Sequence, residues 1–366
     1  MLSILAVFKS IFDDSSLLVK GKIIGMYVFL LAANIGGWIY AIFAFHSNPV
    51  FLGTSLLAWG YGLRHAVDAD HIAAIDNVTR KLMQQNKRPV TVGFFFSLGH
   101  SLVLVIGVAA IYYVKSNVNG DSFNNFNNES GIIGTAVSTS FLFVIGIMNL
   151  LIALSVYRTF RSVTKGGEHV EEDFDMLLNN RGFLARIFRP LFDLVKKGWH
   201  MFPIGFLFGL GFDTVTEVTL LAIAATEATK GMPLWSIMVF PLLFTAGMSL
   251  IDTTDGIAML GAYGWAFVKP VRKLFYNLTI TSVSVVVALV IGGIEGLGLF
   301  AQEFNISGGW FWNAINVLNN NSGYMGYTII GIFLVSWLAS IAVYKLNRYE
   351  DLELKLASNS QANAGD

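Results

Sequence analysis

The chain contains no cysteine. Disulfide bridges and thiolate metal sites are therefore both excluded, and any metal would find imidazole, carboxylate, thioether or backbone carbonyl instead. Charge is scarce as well: 13% of the 366 residues are Asp, Glu, Lys or Arg, against 54% hydrophobic, with a mean hydropathy of +0.61. That composition is too apolar for a water-soluble domain of this length and belongs in a bilayer. No G-x-x-x-x-G-K-[ST] segment is present, which excludes ATP hydrolysis by a P-loop. No H-E-x-x-H motif and no signal cleavage site of the A-x-A kind appear. The net charge is zero, so nothing favours nucleic acid as a partner.

What the chain does have is long apolar runs. A span needs roughly 20 residues to cross about 30 Å of hydrocarbon, and eight such runs fall near 22–44, 51–76, 90–114, 131–156, 203–225, 232–263, 275–299 and 324–344. They are continuous rather than alternating, which predicts helices and not barrel strands. The expected fold is all-α, a polytopic membrane protein with eight transmembrane helices.

Basic residues orient the set, because short cytoplasmic loops carry the excess of Lys and Arg. Lys9, Lys20 and Lys22 precede the first span, and Arg80, Lys81, Lys87 and Arg88 separate the second from the third. The segment 157–202 holds Arg158, Arg161, Lys165, Arg181, Arg186, Arg189, Lys196 and Lys197. Lys269, Arg272 and Lys273 follow the sixth span, and Lys345, Arg348 and Lys355 the eighth; the opposite loops offer Lys115 and Lys230. Both termini are thus expected in the cytoplasm of a multi-pass protein of the cytoplasmic membrane. Residues 1–366 read as one permease domain, with 157–202 a cytoplasmic loop and 345–366 a cytoplasmic tail. The Asn-rich segments 117–130 and 305–322 read as solvated outer loops.

The second and fifth spans resemble one another. WGYGLRHAVDADHIAAI from 59 lies over FGLGFDTVTEVTLLAI from 208, so that Gly60 and Gly62 match Gly209 and Gly211. The third and sixth continue the register: FFSLGHSLVL from 95 lies over LFTAGMSLID from 243, and Gly99 and Ser101 meet Gly247 and Ser249. Because the second span runs inward and the fifth outward, spans 2–4 and 5–7 form an inverted internal repeat. In transporters built this way the substrate site lies between the repeats near the midplane. The glycines either kink the helices there or allow close helix packing.

The polar residues at membrane depth are concentrated in the same places. An ionisable side chain at the bilayer centre costs about 2.5 to 3.5 kcal/mol, so Arg64, Asp68, Asp70 and Asp76 together would cost on the order of 10 kcal/mol if they faced lipid. They must face protein, water or an ion. Arg64 reads as a fixed cation that pairs with a carboxylate and holds the acids in place. At about 100° per residue, His65, Asp68 and His71 share an arc of about 120°, with Asp76 near His65 and Asp70 pointing elsewhere. Six residues of continuous helix rise about 9 Å, too far for both rings to reach one ion at about 2 Å. Either the helix is unwound here, or the histidines serve successive positions of a moving ion.

His100 is a third imidazole at membrane depth, whereas His46, His169 and His200 fall outside it. Imidazole with carboxylate suits divalent zinc, copper, iron or nickel. The other half contributes acids: Asp213 and Glu217 at i and i+4 with Thr214 and Thr216 beside them, then Asp252 and Asp255 at i and i+3. These read as a polar seam between helices, as a cation path, or as proton acceptors. Met248, at the repeat position of His100, is a candidate soft ligand.

Four segments in this order, RHAVDADHI, LGHS, GFDTVTE and GMSLIDTTDG, resemble the signatures of the nickel/cobalt transporter family, eight-helix permeases that take up Ni2+ and Co2+. The resemblance covers spans two to six. It implies that His65, Asp70 and His71 act in metal recognition or translocation, with His100, Asp213, Glu217, Asp252 and Asp255 as further polar elements. Leu102 stands where the family leads one to expect a small hydroxyl residue, and Val215 where it leads one to expect alanine. The family pattern stresses Asp70 and the helical wheel Asp68, so both stay in the expected metal set with His65, His71 and His100. Arg64, Asp76, Ser101, Asp213, Thr214, Glu217, Asp252 and Asp255 make up the expected translocation path. No catalytic residue and no cofactor are expected; the ion is cargo. An intramembrane metal-dependent hydrolase and a membrane metal sensor are the alternatives.

Overall fold

The structure, a computed structural model, describes residues 19–85, 87–114, 120–164, 195–210, 215–266, 270–306 and 308–346. Every regular element among them is helical. Helix α1 spans Val19–Phe45, α2 Pro49–His65, α3 Ala69–Gln84, α4 Val92–Val114 and α5 Gly120–Thr164. A 3-10 turn at Gly198–His200 leads into α6 (Met201–Gly209), followed by α7 (Val215–Thr229) and the short α8 (Leu234–Ile237). Then come α9 (Val239–Ala266), α10 (Pro270–Glu303), α11 (Trp310–Asn319) and α12 (Ser322–Leu346).

Five stretches among the described residues are long and apolar enough to cross a bilayer: Val19–Phe45, Val92–Tyr113, Thr135–Arg158, Leu234–Ala262 and Leu278–Glu303. They fall on the first, third, fourth, sixth and seventh expected spans. The eighth expected span lies in α12, which meets α11 at a bend of 84°. Burial is arranged for lipid rather than water. On α1 the residues Ile24, Val28, Leu31, Ile35, Ile39 and Ile42 recur every three or four positions and are exposed, forming one apolar stripe.

The second expected span is not one helix. Helix α2 stops at His65 and α3 starts at Ala69, so of the two alternatives open for 51–76 the chain takes the unwound one. The described parts of the fifth belong to α6 and α7, with residues 211–214 outside the described residues. Helix α3 then continues to Gln84, so that Arg80 and Lys81, expected in a cytoplasmic loop, lie inside a helix at 0% and 1% exposure. The protein around α3 makes this possible: α4, α5, α9, α10 and α12 all pack on it. Asp76, Asn77, Thr79 and Arg80 can be buried because they meet one another and neighbouring helices instead of lipid.

The expected outer loops are also partly helical. Residues 120–130 belong to α5, and Trp310–Asn319 forms α11. Helix α5 runs on to Thr164 and the turn before α6 begins at Gly198, so both ends of the expected loop 157–202 are structured; residues 165–194 lie outside the described residues, as does most of the expected tail 345–366.

Helix α9 holds the bundle together, packing on α1, α2, α3 and α4. Its approach to α2 depends on Gly62, where an added Cβ would stand 2.1 Å from the carbonyl oxygen of Phe244. Gly62 therefore serves close packing and not a kink; the helix continues through it to His65. Gly60 has open space around its Cβ position.

Candidate metal centre

The break between α2 and α3 builds the centre. The amides of Ala66, Val67 and Asp68 turn back to donate to the carbonyls of Gly62, Arg64 and His65 at 3.2, 3.0 and 2.9 Å. Asp68 then takes the N-cap position of α3 with an extended backbone, a conformation and a place that aspartate favours. Its side chain does not cap the helix. Instead Oδ2 lies 3.1 Å from His65 Nδ1.

Because the chain turns here, His65 and His71 are not one and a half helical turns apart. Their ring centroids are 4.7 Å from each other, and each lies close to His100 of α4, at 4.8 and 4.7 Å respectively. One nitrogen from each of the three rings falls within 4.8 Å of the others, and all three residues are buried. His65 Nε2 and His100 Nε2 are 2.9 Å apart; two nitrogens bound to one ion at about 2 Å are themselves roughly 3 Å apart. His71 Nε2 is buried with no hydrogen-bond partner, the state a nitrogen is left in when its natural partner is a cation. The set fits a divalent metal of the borderline kind.

Each imidazole also faces a carboxylate. His65 is paired with Asp68, His71 Nδ1 lies 3.4 Å from Asp252 Oδ1 of α9, and His100 Nε2 lies 3.0 Å from Glu217 Oε1 of α7. For His65 and His71 the carboxylate sits at Nδ1, the orientation that carboxylate–histidine–metal arrangements use; Nε2 of His71 is left without a partner, while Nε2 of His65 meets His100. His100 Nε2 is shared between His65 and Glu217, so metal binding there requires one of those contacts to be given up. Phe96 packs against His71 with centroids 4.8 Å apart, and Phe244 against His65 at 5.5 Å. These two rings occupy matching positions of the sequence repeat.

The structure treats the other expected residues differently. Asp70 is half-buried in the first turn of α3, where the helix N-terminus favours a negative charge. Arg64 is exposed at the end of α2 and forms no ion pair among the described residues, which corrects its expected role as the cation holding the acids. The buried guanidinium is that of Arg80, whose Nη2 donates to Asn77 Oδ1 at 2.8 Å. Asn149 of α5 donates to the same oxygen at 2.6 Å.

Asp76, on α3, is fully buried. Asp252 Oδ2 and Asp255 Oδ2 are buried without hydrogen-bond partners. Ser101 donates to Met248 Sδ at 3.9 Å, and Ser97 to Ser249 at 2.9 Å, joining α4 to α9. Met248 is therefore engaged with Ser101 in the apolar packing around Phe244. Asp213 and Thr214 lie outside the described residues. Sequence reasoning passed over Asn77, Asn149 and Ser97 and took Arg80 for a loop residue; only the repeat register, which pairs Phe96 with Phe244, hinted at the aromatic walls.

The family model for high-affinity nickel-transport proteins, NicO, matches residues 51–343. A high-affinity nickel transport protein of Cupriavidus necator is 57% identical over 336 residues, covering 92% of this chain and 95% of that protein. The hydrogenase nickel incorporation protein HupN of Bradyrhizobium diazoefficiens is 50% identical over 86% of this chain and 82% of its own length. The cobalt transport protein NhlF of Rhodococcus rhodochrous is 33% identical, with 88% and 90% covered. No solved structure matches. The hydrolase and sensor alternatives find no support in this company. With its motifs spread across the matched region and three buried imidazoles gathered at a broken helix, the chain belongs to the high-affinity nickel-transport protein family, NicO.

Proposed function

We propose that this protein is a secondary transporter that carries Ni2+ or Co2+ across the cytoplasmic membrane into the cell, with His65, His71 and His100 as its central ion site. The observation that carries the proposal is the meeting of three buried imidazoles, each facing a carboxylate, at a helix break. Asp68, Asp252 and Glu217 orient the rings. Asp70, Asp76 and Asp255, with Ser101, form the acidic and hydroxyl path on either side; Asp213 and Thr214 are assigned to the path from the sequence alone. Relatives named for nickel and for cobalt support the choice of ion. The two metals are neighbours in intrinsic affinity, so discrimination rests on geometry.

The inverted repeat of spans 2–4 and 5–7 frames the path. Gly247 approaches the Trp59 carbonyl of α2 and Gly99 the Phe202 carbonyl of α6, so each of these matched glycines meets a helix of the other half, although Phe202 stands six residues before Phe208, the repeat partner of Trp59. The lysine and arginine asymmetry supports a cytoplasmic position for both termini. With no P-loop, the membrane potential is a sufficient driving force: a dication moving inward gains about 4.6 kcal/mol per 100 mV.

The test is uptake of radiolabelled nickel and cobalt by cells expressing the parent, His65→Ala and His71→Ala. Both variants are expected to lose accumulation while remaining in the membrane in normal amounts. Unchanged uptake by well-expressed variants would overturn the proposal.

A further inference from the structure

Helix α12 lies beyond the internal repeat and carries none of the four sequence motifs, yet it touches the break on which the imidazoles depend. An added Cβ at Gly326 would stand 1.5 Å from the carbonyl oxygen of Val67, 2.7 Å from its carbonyl carbon and 3.2 Å from Ile72 Cδ1. Val67 is the middle residue of the three between α2 and α3. Around that contact Met325, Ile329 and Phe333 of α12 pack with Val67, Ala69, Ile72 and Ala73 in one apolar cluster. The 84° elbow that delivers α12 to this place is itself anchored. Asn319 Nδ2, at the end of α11, donates to the Ile294 carbonyl of α10 at 3.3 Å and fills the space above Gly298, where a Cβ would stand 1.6 Å from it.

We propose that Gly326 is a positioning residue for ion recognition: by lacking a side chain it lets α12 seat on the Val67 peptide and fix the shape of the break that brings His65 and His71 together. The proposal rests on the reading of His65, His71 and His100 as the ion site. Its physical basis is leverage. His65 and His71 stand on opposite sides of Val67, and on an unbroken helix they would be about 9 Å apart along the axis. Their 4.7 Å separation is therefore a property of the break and not of the residues. A methyl group at Gly326 needs a shift of about 2 Å to reach ordinary contact distance, and the two nearest atoms it meets are backbone, which cannot swing aside as a side chain can. The shift passes into the angle between α2 and α3, and so into the distance between the rings.

Purified parent, Gly326→Ala, Gly331→Ala and His65→Ala proteins in sealed vesicles provide the test, with nickel and cobalt uptake each resolved into KM and Vmax. Gly331 is on the same helix with nothing within 4 Å of its Cβ position, so Gly331→Ala is expected to match the parent. Gly326→Ala is expected to raise the nickel KM about tenfold or more, the scale on which groups supporting metal ligands act, to change the nickel-to-cobalt ratio, and to leave Vmax within about twofold. A general loss of stability would not alter the preference between two ions. A Gly326→Ala protein with parental KM and parental ratio overturns the proposal.

If Gly326→Ala does not reach the membrane, Asn319→Ala decides instead. It loosens the elbow without adding an atom, and a rise in nickel KM is expected; a parental KM and ratio in that variant overturn the proposal. Should His65→Ala transport nickel like the parent, the fault lies in the ion-site reading and not in the role given to Gly326.

Discussion

Metal-ligating imidazoles almost always have their second nitrogen held by a carboxylate, a carbonyl or water. Here Asp68 and Asp252 stand at the Nδ1 atoms of His65 and His71, which turns the Nε2 atoms toward the shared space. Asp252 has the weaker contact by distance but the deeper burial, at 0% exposure. Asp252→Asn keeps the shape and removes the charge. It is expected to raise the nickel KM about 10- to 100-fold with normal amounts of protein in the membrane, as measured by radiolabelled uptake at graded nickel. A KM equal to that of the parent would show that His71 needs no acidic support. The sequence already made His65, His71 and His100 candidates, since three histidines among lipid-spanning runs have few other uses. It did not reveal that Arg64 turns outward and Arg80 inward. Arg64 falls in the middle of the expected second span and Arg80 just beyond it, and only the neighbours that α3 meets decide that Arg80 is the buried one.

Among the elements, α2 and α3 show how the same local chemistry supports two outcomes. A continuous helix over 51–76 is compatible with the residues, for Ala66 and Val67 break nothing by themselves. The break occurs where Asp68 takes an N-cap position, and where α12 leaves room for it through Gly326. The neighbouring glycines separate into two kinds. Gly62→Ala places a methyl group against the Phe244 backbone and is expected to destabilise the protein by about 1 to 3 kcal/mol, as overpacking does. Gly60→Ala meets open space and is expected to be neutral or stabilising by up to about 1 kcal/mol, the helix preference of alanine over glycine. Thermal unfolding of the two variants in detergent checks this: equal midpoints would remove the close-packing role assigned to Gly62.

In the whole molecule the burial is sorted for a bilayer: isoleucines of α1 outward, Asp76, Asn77, Thr79 and Arg80 of α3 inward. A polar helix wrapped by five others, next to the proposed ion site, suits the movement of charge. Transport by such a molecule is expected to be electrogenic. In vesicles with a potassium diffusion potential, inside-negative polarity is expected to accelerate nickel entry, toward an accumulation limit of about two-thousandfold per 100 mV. Collapse of the potential with an ionophore is expected to lower the rate. Entry indifferent to the potential would mean that another ion moves in compensation. Hydropathy made the long outer helices legible, because lipid contact selects for composition alone. The interior was less legible, because Asn77, Asn149 and Arg80 form a contact between α3 and α5 that no local pattern announces.

Composition and ordered motifs were enough to determine that this chain is a helical membrane protein, that it offers imidazole and carboxylate to a metal, and which family it resembles. These follow from transfer energies and ligand chemistry, which belong to individual residues. Only the tertiary structure decided that the second span is two helices and that His65, His71 and His100 meet within 4.8 Å through one nitrogen each. It also decided that each ring has its own carboxylate. Those are distances between residues far apart along the chain, and they are set by how α4, α9 and α12 pack against a three-residue break.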